Sequence, residues 1–183
     1  MDRVEAMTIS LVMDTATNRT IVAIIEDDRV LFENFHEGAT EHGFAITELV
    51  VKALEVCPKP DQVVVGMGPG PFTGLRVGIT FAHTFALARE IPVIGVCSLD
   101  AILINKSEYT VAIDARRKEI YWASYKDGVR VAGPAVDKPA DVSGYILDLY
   151  PDMEKLAALS TSQNVTEPMY LRRPDAVPTA ERT

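Results

Sequence analysis

The sequence predicts an α/β protein built from two lobes, and three observations point to that class. Apolar, β-branched segments alternate with amphipathic helical segments over the first half of the chain. A strand–aspartate–strand segment recurs at an offset of 100 residues, and 183 residues suffice for one domain or two small lobes. A polar step at residues 105–108 places the boundary, so that residues 1–105 form the first lobe and 106–183 the second.

The first lobe opens with three predicted strands, because short β-branched runs are separated there by polar turns. These strands are residues 8–14, 20–25 and 30–35. A helix is predicted over residues 41–55, since apolar side chains recur at the i, i+3, i+4 spacing of one helix face. They are Ile46, Leu49, Val50, Ala53 and Leu54. Two prolines, Pro58 and Pro60, end this helix.

The remainder of the first lobe alternates strand and helix. Buried strands are predicted at residues 63–65 and 92–96, and a helix runs between them to about Glu90. A glycine- and proline-rich segment, residues 66–74, precedes that helix. Ser98 is expected to cap a short helix that ends at Ile104.

The second lobe has fewer predicted elements. Two strands, residues 109–114 and 119–125, flank a polar turn, and Pro134 and Pro139 indicate a loop after them. One or two helical turns are predicted over residues 154–159, and the tail from Val165 is predicted to be extended.

An internal repeat links the lobes. Residues 11–25 align without gaps with residues 111–125, and Asp14 falls on Asp114. Two interpretations stay open, namely two ordinary hairpins, or a duplicated lobe in which each copy has an aspartate at the end of its first strand.

Asp14, Thr15 and Thr17 are candidate nucleotide contacts, because a carboxylate at a strand end, followed by hydroxyls and turn amides, can hold a phosphate or its magnesium. Ala16 stands where a glycine would let the backbone approach a phosphate. An aspartate that only forms a turn, by accepting backbone N–H bonds, is the alternative, and the same choice applies to Asp114.

The segment at residues 66–78 is a poor phosphate cradle. It lacks the G-K-[ST] end of a Walker A loop, and Pro71 breaks the G-x-G-x-x-G pattern. Pro69 and Pro71 also remove two amides that a phosphate would use.

The helix behind this segment indicates a partner interface. Small residues recur at every fourth position and form a smooth stripe that allows close approach of another helix. They are Gly74, Gly78, Ala82 and Ala86. The helix is apolar nearly all round, so we expect it to contact a helix of its own chain and a partner as well. Replacing Gly78 or Ala82 by Leu is expected to block docking and leave the subunit folded. Arg76, placed in the first turn against the helix dipole, is expected to meet a carboxylate or anion, or else to be solvated.

Composition excludes several function classes. The formal net charge of −8 argues against direct binding to nucleic acid or an anionic membrane. Cys57 and Cys97 form no C-x-x-C motif, and the three histidines show no H-x-x-x-H spacing, so neither a disulfide framework nor a metal site is expected. No signal peptide or membrane span is recognised, and we expect a cytoplasmic protein. No nucleophile beside a base is visible either.

Five segments together resemble one family. They are GMGPGPFTGLRVG at residues 66–78, LVMDTAT at 11–17, IPVIGVCSLDAI at 91–102, IDARRKEIYWASY at 113–125, and PMYLRRPDA at 168–176. The chain is similar to the bacterial TsaB (YeaZ, glycoprotease-like) family of tRNA threonylcarbamoyladenosine biosynthesis proteins over nearly its whole length. Pro71 replaces the serine usual in the family, and residues 150–160 look shortened.

The resemblance implies an actin-like (ASKHA, ribonuclease H-like) fold of duplicated lobes, with the second lobe reduced. It implies a subunit that is not an enzyme by itself and that pairs with the catalytic paralogue TsaD, which carries the metal. The small ATPase TsaE joins the pair, and tRNA is bound only through the complex. A homodimer is expected in isolation. No cofactor is expected to bind tightly, with ATP or ADP at the partner interface at most.

The implied pairing surface lies on the first-lobe helices. Its candidate residues are Thr73, Gly74, Arg76, Gly78, Ala82, Phe85, Ala86, Ile46 and Leu49. The leading hypothesis is therefore a non-catalytic scaffold for tRNA N6-threonylcarbamoyladenosine synthesis. The alternative is an actin-like ATPase or small-molecule kinase that uses Asp14 and Asp114, and proteolysis ranks last because no nucleophile or metal site supports it.

Overall fold

The computed structural model describes residues 7–172, and the fold there is built on two sheets. Residues 1–6, on which the signal-peptide prediction depends, lie outside the described part. Residues 173–183 also lie outside it, and they include the last four residues of the segment PMYLRRPDA. The first sheet has five strands in the order β3-β2-β1-β4-β5. They are β1 (Ile9–Asp14), β2 (Arg19–Glu26), β3 (Arg29–Glu37), β4 (Gln62–Gly66) and β5 (Val93–Val96).

Helices cover both faces of the first sheet, which explains why its central strands read as continuous apolar runs. On one face lie α1 (His42–Val56) and α2 (Phe72–Arg89), which pack on Leu11, Met13 and Val65. On the other face lies α3 (Met153–Leu159), which packs on Val12 and Val64. Because side chains alternate between the two faces along β1 and β4, each strand contributes residues to two separate hydrophobic clusters.

The second sheet repeats the topology of the first in reduced form. Its strands are β6 (Glu108–Asp114), β7 (Ile120–Lys126), β8 (Val129–Asp137) and β9 (Tyr145–Ile146), in the order β8-β7-β6-β9. β6 pairs antiparallel with β7 and parallel with β9, as β1 pairs antiparallel with β2 and parallel with β4. A 3-10 turn at Pro139–Asp141 stands where α1 stands in the first lobe. The fold is therefore the duplicated actin-like one, and the repeat reflects duplication.

The two lobes meet through a third hydrophobic cluster. Cys97, Leu99 and Ile102, which follow β5, pack against Val111 and Ile113 of β6. The chain then leaves α3 and runs back along the first sheet, where the N–H of Val165 donates to the carbonyl of Gly95. The predicted boundary at 105/106 falls between the two sheets, while α3, from beyond that boundary, packs on the first sheet.

Three sequence predictions need correction. Pro134 lies inside β8, where a loop was predicted, because β8 is an edge strand and a proline is tolerated where no ladder donor is needed. The helix predicted from Ser98 to Ile104 is only a 3-10 turn at Ser98–Ala101. Ser98 does not cap it, since its hydroxyl donates to Asp14 instead.

Candidate functional site

Asp14 ends β1 in the centre of the first lobe and is fully buried. Its Oδ2 accepts a 2.5 Å hydrogen bond from the Ser98 hydroxyl, and its Oδ1 accepts a 2.8 Å bond from the N–H of Ala16. Gly66 closes the remaining side, because a Cβ there would lie 1.8 Å from Oδ2. Burial raises the pKa of Asp14 to about 6, against the opposing effects of both hydrogen bonds. The carboxylate is enclosed by its own chain and faces no open space.

Asp114 occupies the equivalent place in the second lobe, but it is exposed. Its Oδ1 accepts a 2.8 Å hydrogen bond from the N–H of Arg116, the same contact that Asp14 makes with Ala16. A cleft of about 180 Å³ between the lobes is lined by Asp114, Arg116, Thr17 and Tyr150, among others. Both aspartates thus adopt the turn-forming geometry, and only Asp114 borders open space.

The hydroxyls that follow Asp14 are also engaged within the chain. Thr15 donates a 2.7 Å hydrogen bond to the carbonyl of Gly74, and Thr17 accepts a 3.1 Å bond from the N–H of Arg19. These contacts fix the β1–β2 turn against the first turn of α2. Thr15 is therefore a packing residue in this structure, whereas Thr17 reaches the edge of the cleft.

The small-residue stripe of α2 faces inward, which corrects the predicted interface. Gly74, Gly78, Ala82 and Ala86 are all buried in the chain itself. A Cβ at Gly78 would lie 2.4 Å from Thr15 Oγ1, and one at Gly74 would lie 2.8 Å from the carbonyl oxygen of Thr15. The stripe lets α2 approach β1 and its turn. These four residues are not available to a partner, and enlarging Gly78 is expected to disturb the fold of the subunit itself.

The first-lobe residues predicted on α1 are also internal. Ile46 and Leu49 are 1% and 4% exposed and belong to the cluster between the helices and the sheet. Phe85 of α2 is half-buried against the same cluster, and its ring stacks at 6.3 Å on that of Phe81.

The outer sides of α1 and α2 enclose an apolar groove. Its floor is Ile46 and its walls come mainly from the exposed side of α2. The lining residues are Gly43, Ile46, Phe72, Thr73, Arg76, Val77, Thr80, Phe81 and Thr84. Thr73 and Arg76 of the predicted interface thus line the groove, together with the buried Ile46, and the guanidinium carbon of Arg76 lies 5.1 Å from the centre of the Phe72 ring.

Sequence reasoning missed two exposed phenylalanines of α1 and α2, of which Phe72 lines the groove. Phe44 and Phe72 are 65% and 54% exposed, although they stand near the starts of two helices with well-filled inner faces. A phenylalanine outside the i, i+3, i+4 set of α1 was the signal that could have identified Phe44. Large exposed apolar side chains around a groove are typical of an interaction surface.

His42 connects α1 to the strand beneath it. Its Nδ1 shares a 2.7 Å hydrogen bond with the Thr20 hydroxyl, and both residues are buried. Burial lowers the pKa of His42, and the nearby His36 lowers it further. The ring also lies against the first turn of α2, since a Cβ at Gly74 would be 3.2 Å from His42 Nε2.

Among residues 7–172, which the structure describes, no group of three or more His, Cys, Asp or Glu residues is arranged to hold a metal ion. None of the helices in that part of the chain has the length and apolarity needed to cross a membrane.

Comparison with known proteins identifies relatives over most of the chain. The family model for TsaD, tRNA N6-adenosine threonylcarbamoyltransferase, matches residues 37–177. An uncharacterized protein of Mycobacterium tuberculosis (strain H37Rv) is 40% identical over 209 residues, which cover 98% of this chain and 99% of that protein. Because the alignment runs over 209 residues and the chain has 183, at least 26 positions of that relative have no counterpart here.

Relatives with functional names match a shorter part. The tRNA threonylcarbamoyladenosine biosynthesis protein TsaB of Escherichia coli is 35% identical over 126 residues, covering 63% of this chain and 54% of that protein. TsaB of Bacillus subtilis is 32% identical over 129 residues, covering 65% and 56%. The chain thus spans little more than half the length of these relatives, and 57% of an uncharacterized Mycobacterium leprae relative.

Solved structures share the fold. The crystal structure of YeaZ from Pseudomonas aeruginosa superposes with a TM-score of 0.73 at 24% identity, covering 85% of this chain and 92% of that one. A second Pseudomonas aeruginosa structure, of an uncharacterized protein similar to peptidase YeaZ, reaches a TM-score of 0.78 and covers 91% and 100%.

Proposed function

Because the chain belongs to the family of the tRNA N6-adenosine threonylcarbamoyltransferase TsaD, and within it is a protein of the TsaB/YeaZ type, we propose that it is a non-catalytic scaffold subunit for the synthesis of threonylcarbamoyladenosine at position 37 of tRNA. In this role the chain binds the catalytic paralogue TsaD and holds it in its active state. The names of the TsaB relatives support the process, and an apolar groove on the first lobe supports a role in partner binding.

The observation that carries the proposal is the apolar groove between α1 and α2. The Phe72 ring lines the groove and is 54% exposed, and large exposed apolar side chains of this kind mark interaction surfaces. Both helices rest on a sheet that is packed on its other face by α3, so the groove is presented by a rigid support. A rigid groove with aromatic edges suits a stable contact with a helix of a partner protein.

The alternative, an ATPase or kinase that uses Asp14 and Asp114, has less support. Both oxygens of Asp14 accept hydrogen bonds from the chain, and Gly66 packs directly on them. A magnesium-bound phosphate would need one of those oxygens. We expect calorimetric titration of the isolated chain with Mg-ATP to show no tight binding and no turnover, and tight binding with turnover would favour the alternative.

The remaining partners are part of the same proposal. TsaE is proposed to join the pair, and ATP or ADP to bind at the contact with the partner. The net charge of −8 supports contact with tRNA through the complex rather than through this chain alone. In the absence of TsaD, a second copy of the chain is proposed to occupy the same groove.

The test is a charge placed in the groove. Thr80 is exposed on α2 and lines the groove, so Thr80→Arg leaves the isolated subunit folded and puts a charge where the partner must pack. We expect co-purification with TsaD to fall at least about tenfold, since burying an unpaired charge costs more than the roughly 1.4 kcal/mol that a tenfold loss represents. Reconstituted tRNA modification should fall with it.

Thr166→Arg is the matched control. Thr166 is exposed on the segment beside β5, and the same substitution there should leave both the complex and the modification unchanged. Circular dichroism and thermal melting of each variant show whether the subunit is folded. If Thr80→Arg binds TsaD as tightly as the unmodified chain does, the groove is not the docking site.

A further inference from the structure

Asp100 is the centre of a polar junction between the lobes. It lies in the 3-10 turn after β5, and its side chain is only 8% exposed. Its Oδ1 accepts a 2.8 Å hydrogen bond from the Tyr125 hydroxyl and lies 3.2 Å from a guanidinium nitrogen of Arg130. Its Oδ2 accepts a 2.8 Å bond from the side-chain amide of Gln163. One carboxylate therefore joins the first lobe to β7, to β8 and to the segment after α3.

Gln163 extends the junction into the chain that follows α3. Its Oε1 accepts a 3.2 Å hydrogen bond from the N–H of Cys97. Both the oxygen and the nitrogen of the side-chain amide are therefore hydrogen-bonded to the first lobe. Two residues later the N–H of Val165 donates to the carbonyl of Gly95, and further on the N–H of Met169 donates to the carbonyl of Met67. Gly95 has to be a glycine, because a Cβ there would lie 2.1 Å from the carbonyl oxygen of Val165.

The same segment then reaches the second lobe. Arg172 forms an ion pair with Glu119, and its guanidinium also donates to the carbonyl of Arg116, 3.4 Å away. Glu119 and Arg116 lie in the β6–β7 turn, at one end of that hairpin. Tyr125, which contacts Asp100, lies at the other end, six residues from Glu119 and therefore roughly 20 Å away at the usual rise of a strand.

We infer that residues 163–172 form a clasp that fixes the angle between the two lobes. The clasp is bonded to the first lobe along its length, including Asp100, which itself holds the Tyr125 end of the β6–β7 hairpin, and it is bonded to the other end of the hairpin through Arg172. A rotation that opened the cleft beside Asp114 would move at least one of these two ends and break its contacts. Two-lobed folds commonly close by rotation about a hinge, and this chain holds one arrangement instead. The inference does not depend on the proposed function.

Distances between spin labels on the two lobes test the clasp in the full chain. Lys52→Cys and Val129→Cys place labels on exposed positions of α1 and β8. Cys57 is replaced by alanine, Cys97 is fully buried, and labelled protein is diluted with excess unlabelled chain. We expect one narrow distance distribution. Gln163→Ala combined with Arg172→Ala should broaden it about twofold, since the clasp then bonds to neither Asp100 nor Glu119, and of these polar contacts the hairpin keeps only those of its Tyr125 end with Asp100.

Two further variants separate the clasp from a general loss of structure. Glu119→Gln leaves the clasp sequence intact and weakens only the Arg172 pair, so it should produce part of the broadening. Glu167→Ala changes an exposed clasp residue and should produce none. A wild-type distribution that is already broad would overturn the inference, and so would an unchanged distribution in the double variant when circular dichroism shows that it is folded.

Discussion

The hydroxyl of Ser98 donates a 2.5 Å hydrogen bond to the buried carboxylate of Asp14, across 84 residues of sequence. The contact joins the end of β1, the first strand of the lobe, to the 3-10 turn through which the chain leaves the first sheet. It also engages the carboxylate oxygen Oδ2 within the chain.

Ser98→Ala removes the donor and leaves Asp14 Oδ2 buried without a hydrogen-bond partner. The N–H of Gly68, which donates to the Ser98 hydroxyl at 3.2 Å, loses its acceptor as well. We expect the free energy of unfolding to fall by about 1–3 kcal/mol, the usual cost of an unsatisfied buried polar group. Urea denaturation at pH 7 measures it. Ser162→Ala, which removes an exposed hydroxyl, is the control and should change stability little.

Asp14→Asn changes the pH dependence of stability. The folded-state pKa of Asp14, about 6, lies above the ordinary 3.8, so the folded chain binds the proton more tightly than the unfolded chain does. The contribution of Asp14 to stability is therefore largest at low pH and is lost as the pH rises from about 4 to 6. The asparagine variant has no such loss.

Denaturation of both proteins at pH 4 and pH 7 tests the direction in which their stability difference changes with pH. The stability of Asp14→Asn relative to the unmodified chain should rise over that interval by up to about 3 kcal/mol, which is the shift of Asp14 converted at 1.36 kcal/mol per pKa unit. His42, whose lowered pKa favours folding at higher pH, contributes equally to both proteins and cancels in the difference. A difference that does not vary with pH would contradict the prediction.

Gly78→Ala should destabilise the chain, while Gly43→Ala should not. A Cβ at Gly78 meets the Thr15 hydroxyl at 2.4 Å, and Thr15 cannot move without breaking its bond to the carbonyl of Gly74. Overpacking of this kind costs about 1–3 kcal/mol. Gly43 lies in α1 with no atom within 4 Å of the position that a Cβ would take, so alanine there should stabilise the helix by up to about 1 kcal/mol. Thermal melting of the two variants tests the pair.

Much of the fold follows from local patterns in the sequence. β-branched runs identify β1, β2 and β4, because these strands are buried almost continuously, and the i, i+3, i+4 stripe identifies α1, because that helix buries one face. The repeated aspartate identifies the duplication, since Asp14 and Asp114 make the same bond to the N–H two residues on.

Other features depend on tertiary contacts that no local pattern contains. A stripe of small residues shows that one face of α2 is smooth, and it does not show whether β1 or a partner covers that face. Ser98 has the residue type of a helix cap, yet its partner is 84 residues away. The strand β8 is hidden by Pro134, since only its place at the edge of the second sheet makes a proline acceptable there.

The oligomeric state of the isolated chain depends on the same groove as the proposed pairing. Thr84 lines that groove one turn beyond Thr80 and is exposed, so Thr84→Arg adds a charge to each of two facing copies. In a symmetric dimer both copies carry the new charge, so the cost of burying an unpaired charge applies twice. We expect the unmodified chain to sediment as a dimer and the Thr84→Arg variant as a monomer. At protein concentrations too low for dimerisation, the two should show the same thermal melting profile. Analytical ultracentrifugation over a concentration series measures the oligomeric state.

A variant that remains dimeric would place the contact between the two copies elsewhere. The edge strand β8, with Val129 and Val131 exposed, would then be the surface to mutate next.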